Sequence, residues 1–265
     1  MRSISLDEIR SLQLDALLHV DRFCREKGLR YSLAYGSLIG AVRHGGFIPW
    51  DDDIDIMMPR PDYERFLKEF GGYVSHLRIQ NYHTDNVTAI TWTKICDTRT
   101  VVYALNMQTH VFIDVFPIDG APDDAKKKQY VNEVLKRREY VVKKRKSYKY
   151  GSNKVKAYVK YMLKSIIYPR SRDWAIRRYE EYYSSFPFET SPNAGWVEYD
   201  DQKDIMPTDI FKNYTTMSFE GHEFMCIVDY DKFLSSIYGD YMTFPPKEQQ
   251  VRGHEDAAYW VDTNK

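Results

Sequence analysis

The stretch Tyr31–Met58, YSLAYGSLIGAVRHGGFIPWDDDIDIMM, decides how this chain is read. Tyr31 to Tyr35 is a short aromatic and apolar run suited to a strand, and Gly36-Ser37 ends it with backbone able to approach a ligand closely. Leu38 to Arg43 then reads as a short helix. Its first free N–H groups, with the Ser37 hydroxyl, suit an anion lying over the turn. Gly45-Gly46 breaks the helix, Phe47 to Trp50 leads back, and Asp53-Ile54-Asp55-Ile56-Met57 alternates as a half-buried strand does, so Asp53 and Asp55 face one side. Two carboxylates on one strand face repel unless a cation lies between them, and oxygen ligands suit Mg²⁺ or Mn²⁺ rather than zinc. Three aspartates in a row are commonly just a solvated turn. Here the run feeds an alternating strand and follows a phosphate-ready turn, so two features agree on one metal and phosphate site.

Working outward, Ser5-Leu6-Asp7-Glu8 fits a capping box, and Ile9, Leu12, Leu17, Val20 and Phe23 recur at helical spacing up to Gly28. This is a core-facing helix to which the pattern assigns no chemistry. Beyond the acidic strand, Pro59 and Pro61 make a corner and Asp62 to Phe70 reads as a helix. Leu77 to Tyr82, Ala89 to Cys96 and Val111 to Phe116 are strand-like, with Asp97-Thr98-Arg99 marking a turn. Lys94 is either an exposed edge lysine or a point charge for phosphates. Asp114, flanked by Phe112, Ile113, Val115 and Phe116, would be costly to ionise without a cation, or else hydrogen-bonds to backbone.

The 265 residues carry a formal net charge of zero, but the sum hides an asymmetry. Between Lys126 and Arg178 there are nineteen Lys and Arg against three acids. Val155, Tyr158, Val159, Met162, Leu163, Ile166 and Ile167 form one helical stripe there, with Lys156, Lys160 and Lys164 on another face. Such a segment either docks on the body or lies on an anionic membrane surface. No nucleic-acid module is recognisable. After the connection around Pro187, Met217 to Phe219 and Phe224 to Val228 suggest a hairpin, and Tyr230 to Tyr238 a helix ending at Gly239. No stretch is long enough to span a membrane, MRSISLDEIR lacks an apolar signal core, and Cys24, Cys96 and Cys226 are odd in number without CxxC spacing. A cytoplasmic protein with reduced thiols is expected, with any membrane association peripheral, on the inner face.

The segment GSLIGAVRHGGFIPWDDDIDI resembles the signature of the LicD-type phosphotransferases, a family that includes the fukutin-related proteins and belongs to the nucleotidyltransferase-fold superfamily. VFIDVFPIDG supplies the third carboxylate of that pattern, Asp114, and YGDYMTFPP followed by RGHE resembles the closing motif. The resemblance implies an α+β fold: a nucleotidyltransferase-like core of mixed sheet and flanking helices over residues 1–120, a basic helical insertion over 121–195, and a C-terminal part over 196–265 that completes the site. It implies metal ligation and catalysis by Asp53, Asp55 and Asp114, with Asp114 also a candidate to take the acceptor's proton. Gly36, Ser37, Arg43 and Lys94 would address phosphate, Asp51 and Asp52 would cap the turn or orient its surroundings, and Trp50, Asp52, Arg252 and His254 would touch substrate. The implied donor is CDP-choline or another CDP-alcohol. The implied acceptor is a glycan, lipopolysaccharide or teichoic acid precursor, carried on a lipid. Two rivals use the same residues: a nucleotidyltransferase with an NTP donor, and a non-catalytic metal-binding module anchored at a membrane.

Overall fold

The computed structural model describes residues 1–84, 90–104, 107–143, 166–167, 169–197, 202–252 and 257–261. The first helix, α1 (Leu6–Lys27), has the expected ends: Ser5 Oγ accepts from Glu8 N–H, Glu8 returns its carboxylate to Ser5 N–H, and Gly28 closes it at φ +62°. Both caps are local chemistry, independent of the rest of the fold. Leu17, Val20 and Phe23 are buried in the main core.

The chain then runs through β1 (Ser32–Leu33), α2 (Tyr35–His44), β2 (Asp55–Pro59), α3 (Arg60–Glu69), β3 (Leu77–Gln80), β4 (Thr93–Ala104) and β5 (Met107–Ala121). After these come α4 (Asp124–Lys143), α5 (Arg172–Ser184), β6 (Asn193–Gly195), β7 (Met206–Pro207), β8 (Tyr214–Phe219), β9 (His222–Ile227), α6 (Tyr230–Tyr238) and β10 (Ala257–Trp260). Among the described residues, eight strands form one mixed sheet along the order β1-β2-β5-β4-β10, with β3 added to β4 and β6–β7 added to β5. β2 and β5 are parallel, aligning Asp55 with Asp114, and β4 is antiparallel to β5, aligning Lys94 with Asp114. Lys94 therefore lies on an interior strand, not on an exposed edge.

Four boundaries differ from the sequence reading. Asp97-Thr98-Arg99 is not a turn between strands but a bulge inside β4, where the register shifts between Asp97 and Val102. Its turn chemistry is real, since Asp97 Oδ1 accepts from Arg99 N–H at 2.9 Å, but it bends one long strand. β3 consequently pairs with the first half of β4 and β10 with the second. Secondly, α2 begins at Tyr35, so Gly36-Ser37 is its first turn and no loop precedes it. Tyr35 adopts φ +46°, with its ring wedged against Phe116 and Phe233. Packing of that kind offsets a backbone strain on the order of 1–3 kcal/mol. Thirdly, α3 starts at Arg60, directly after Pro59. Fourthly, β2 begins at Asp55, so strand alternation does not place Asp53, which precedes the strand.

α4 and α5 share a second core of Tyr130, Val131, Val134, Ala175, Ile176, Tyr179 and Tyr183, together with Tyr82 and Ala121 from the sheet side. At the seam Arg60 makes a bidentate pair with Asp119, at 2.6 and 2.8 Å, beneath the Tyr183 ring at 3.9 Å. The Val155–Ile167 stripe and Lys156, Lys160 and Lys164 lie outside the described residues, apart from Ile166 and Ile167, which are exposed. The C-terminal part returns to the main core: the β8–β9 hairpin buries Phe219 and Phe224 there, and α6 adds Phe233 and Leu234. No helix among the described residues is long and apolar enough to cross a membrane.

Candidate active site

The loop from Ile48 to Asp53 is seated by α1. Arg10 donates to the carbonyls of Ile48 at 3.1 Å, Pro49 at 3.0 Å and Asp51, and Gln13 Nε2 donates to Asp52 O at 2.9 Å and Phe112 O at 3.2 Å. The helix read as mere core is thus the clamp for the aspartate run. Periodicity could not reveal this, because a polar residue on a helix face looks alike whether it meets solvent or a carbonyl.

One ligand oxygen each from Asp51, Asp52 and Asp53 lies within 4.8 Å of the others. The Asp51 carboxylate rests on the first turn of α2, where a Cβ on Gly36 would come 2.5 Å from Asp51 Oδ2. Ser37 Oγ accepts from Asp55 N–H at 2.9 Å, fixing the start of β2 to the same turn. Burial first, then the charge of Asp53 and a hydrogen bond with it, push the Asp51 carboxyl up to about 7. Asp55 is driven well above the carboxylate range by burial and then by Asp53, Asp114 and Asp51, with Lys94 opposing. Carboxylates that raise one another in this way are what a divalent cation would relieve, and an all-oxygen donor set fits Mg²⁺ or Mn²⁺. Asp114, beside Asp55 in the sheet, accepts from Trp92 Nε1 at 2.6 Å and from Lys94 Nζ at 3.0 Å.

The remaining candidates are dispersed around this centre. Arg43 donates to Tyr241 O at 2.6 Å with its guanidinium 4.6 Å from the Phe244 ring, so it fastens the YGDYMTF loop. Trp50 lies edge-on to His44 and Phe244. Arg252 reaches back to Asp52 Oδ2 at 3.5 Å, which brings the closing motif to the acidic loop, while His254 lies outside the described residues. Asp52 itself is buried.

Two features of this region went unread. Tyr238, at the end of α6, keeps part of its ring exposed, and its phenol is raised by desolvation and then by the charges of Asp55, Asp204, Asp51 and Asp53. Trp92, Phe116 and Trp196 form an aromatic wall with centroid separations of 5.7, 5.9 and 6.2 Å, and the Arg138 guanidinium stands 6.0 Å from both indoles. Trp92 sits just before β4, two residues from Lys94, and both donate to Asp114.

A mixed sheet thus sets Asp55 and Asp114 side by side on two parallel strands, next to a loop of three aspartates that rests on the first turn of a helix. Residues 28–160 match the LicD/FKTN/FKRP nucleotidyltransferase-domain family, and the chain belongs to the LicD family. It is 30% identical to the lipopolysaccharide cholinephosphotransferase LicD of Haemophilus influenzae, over 98% of this chain and 99% of that protein. A local likeness of 62% identity over 29 residues links it to the human and mouse ribitol 5-phosphate transferase FKRP, covering 11% of this chain and 6% of theirs.

Proposed function

We propose that the protein transfers a phospho-alcohol, phosphocholine from CDP-choline in the first instance, to a cell-surface glycan precursor of the lipopolysaccharide or teichoic acid type, releasing CMP. The observation that carries this is the cluster of Asp51, Asp52 and Asp53 beside the first turn of α2, with Asp55 tied to that turn through Ser37 and Asp114 aligned with Asp55 on the neighbouring strand, in a chain alike over nearly its whole length to a lipopolysaccharide cholinephosphotransferase.

The acceptor oxygen forms a bond to the choline-side phosphorus as the bond from that phosphorus to CMP breaks, and the hydroxyl proton passes to a carboxylate of the cluster. A divalent ion held by Asp53 and Asp55, with Asp51 or Asp114, would neutralise charge on the diphosphate and the leaving CMP. The chain's own groups do the positioning. Gly36 and Ser37 offer backbone at a helix start, Lys94 and Arg252 supply cationic charge at the edge of the cluster, and Arg10 and Gln13 keep the acidic loop in place. The wall of Trp92, Phe116 and Trp196 already faces one cation, Arg138, and a quaternary ammonium suits the same kind of surface.

A donor screen in Mg²⁺ tests the reading by scoring CMP release from CDP-choline, CDP-ribitol and CDP-glycerol, and pyrophosphate release from NTPs. CMP formed with CDP-choline and lost in Asp53→Asn and Asp55→Asn is the expected result. Pyrophosphate from an NTP would instead establish a nucleotidyltransferase, and no turnover of any donor would leave a binding module. Flotation with anionic liposomes, repeated after neutralising Lys156, Lys160 and Lys164, tests peripheral membrane association.

A further inference from the structure

We propose that Asp15, His19 and His76 form a second metal site, remote in chemistry from the carboxylate cluster, that takes a borderline transition-metal ion such as Zn²⁺. One ligand atom from each lies within 4.8 Å of the other two, and all three residues are partly exposed. Asp15 and His19 stand one turn apart on α1, so they share a face, and His76 comes from the residue just before β3. His19 Nε2 is 3.8 Å from Asp15 Oδ1, and His76 Nε2 is 3.5 Å from Asp15 Oδ2. Both separations exceed a hydrogen bond. Around a tetrahedral Zn²⁺ with bonds of about 2.0–2.1 Å, neighbouring ligand atoms stand about 3.3 Å apart, so three atoms already within 4.8 Å of one another need to draw together by about 1.5 Å at most, which side-chain rotation supplies. Independently, the His76 Nε2 atom is buried and has no hydrogen-bond partner among the described residues. A polar atom in that condition is costly unless something fills the place beside it.

Two imidazoles and one carboxylate with a fourth position for water match zinc, whereas the active-site loop offers oxygen alone. Cys24, Cys96 and Cys226 are all buried and present no competing thiol at the surface. One group opposes a cation: Arg99 holds a nitrogen 3.6 Å from Asp15 Oδ2. Its main partner is Asp97, reached at 3.0 and 2.6 Å, so it can release Asp15 without losing its own pairing. An ion here would staple α1 to the start of β3, little more than one turn from Arg10 and Gln13, which hold the aspartate loop.

Calorimetric titration of the chelator-treated full-length protein with Zn²⁺, in excess Mg²⁺, tests the site. One Zn²⁺ per chain is expected, with an upward shift in the thermal midpoint, and Cu²⁺ bound in its place should show nitrogen hyperfine coupling in electron paramagnetic resonance. His19→Gln and His76→Gln should each weaken Zn²⁺ binding by more than the roughly 10–100-fold typical of losing an outer-sphere partner. Arg99→Gln should tighten it. No Zn²⁺ uptake, unchanged affinity in both histidine variants, or Cu²⁺ without nitrogen coupling would overturn the proposal. Should His76→Gln lose its fold by circular dichroism, the part-exposed His19 variant decides the matter.

Discussion

Replacing Gly36 by alanine separates folding from function in this protein. Gly36 lies in the first turn of α2 with no positive φ to forbid the change, and Ala is favoured over Gly by about 1 kcal/mol inside a helix and by less at its start. The new methyl would sit 2.5 Å from Asp51 Oδ2, against about 3.3 Å for an ordinary C···O contact, so one side must yield by about 0.8 Å. The mobile party is the tip of the aspartate side chain. Fold stability should therefore be unchanged or slightly raised, while the carboxylate leaves its seat. Displacements on the order of 1 Å cost about 10²-fold in rate, or about 2.7 kcal/mol of barrier. Thermal unfolding read beside CMP release checks both halves. A double-mutant cycle with Asp51→Ala should show that the two losses are not additive, because each removes the same placement. Wild-type turnover in Gly36→Ala, or losses that simply add, would refute the reasoning.

Arg60→Ala leaves Asp119 buried without its bidentate partner and should destabilise the protein by about 3–5 kcal/mol in urea unfolding, with Arg60→Met/Asp119→Leu recovering part of the loss. Asp51 and Asp55 both titrate above their unfolded range, so the folded state holds protons that the unfolded state has released. Without metal, stability should fall as the pH rises from about 4 through about 7. Saturating Mg²⁺ or Asp51→Asn should flatten that slope, as followed by thermal midpoints across the pH range. Lys94→Met removes the cation that opposes the rise in Asp55 and one of the donors to Asp114, and should lower turnover more than it lowers the melting temperature. If activity and stability fall in proportion, Lys94 is only a structural partner for Asp114.

Sequence by itself settled what depends on neighbours along the chain. The Ser5–Glu8 capping box, the Gly28 stop, the hairpin about Glu220-Gly221 and the end of α6 at Gly239 are local backbone and side-chain chemistry, and each stands where the pattern put it. The nearness of Ser37 to Asp55 was legible too, because one short helix and one returning loop carry both. Tertiary structure alone decided the rest. Asp55, Asp114 and Lys94 come into line because β2 runs parallel to β5 and β4 runs antiparallel to it, a choice governed by which apolar faces bury together and not by any spacing in the chain. The grip of Arg10 on the aspartate loop, the Trp92 bond to Asp114 and the approach of His76 to Asp15 and His19 share that origin. Each joins residues that no local rule relates, and the packed core is what holds them within reach.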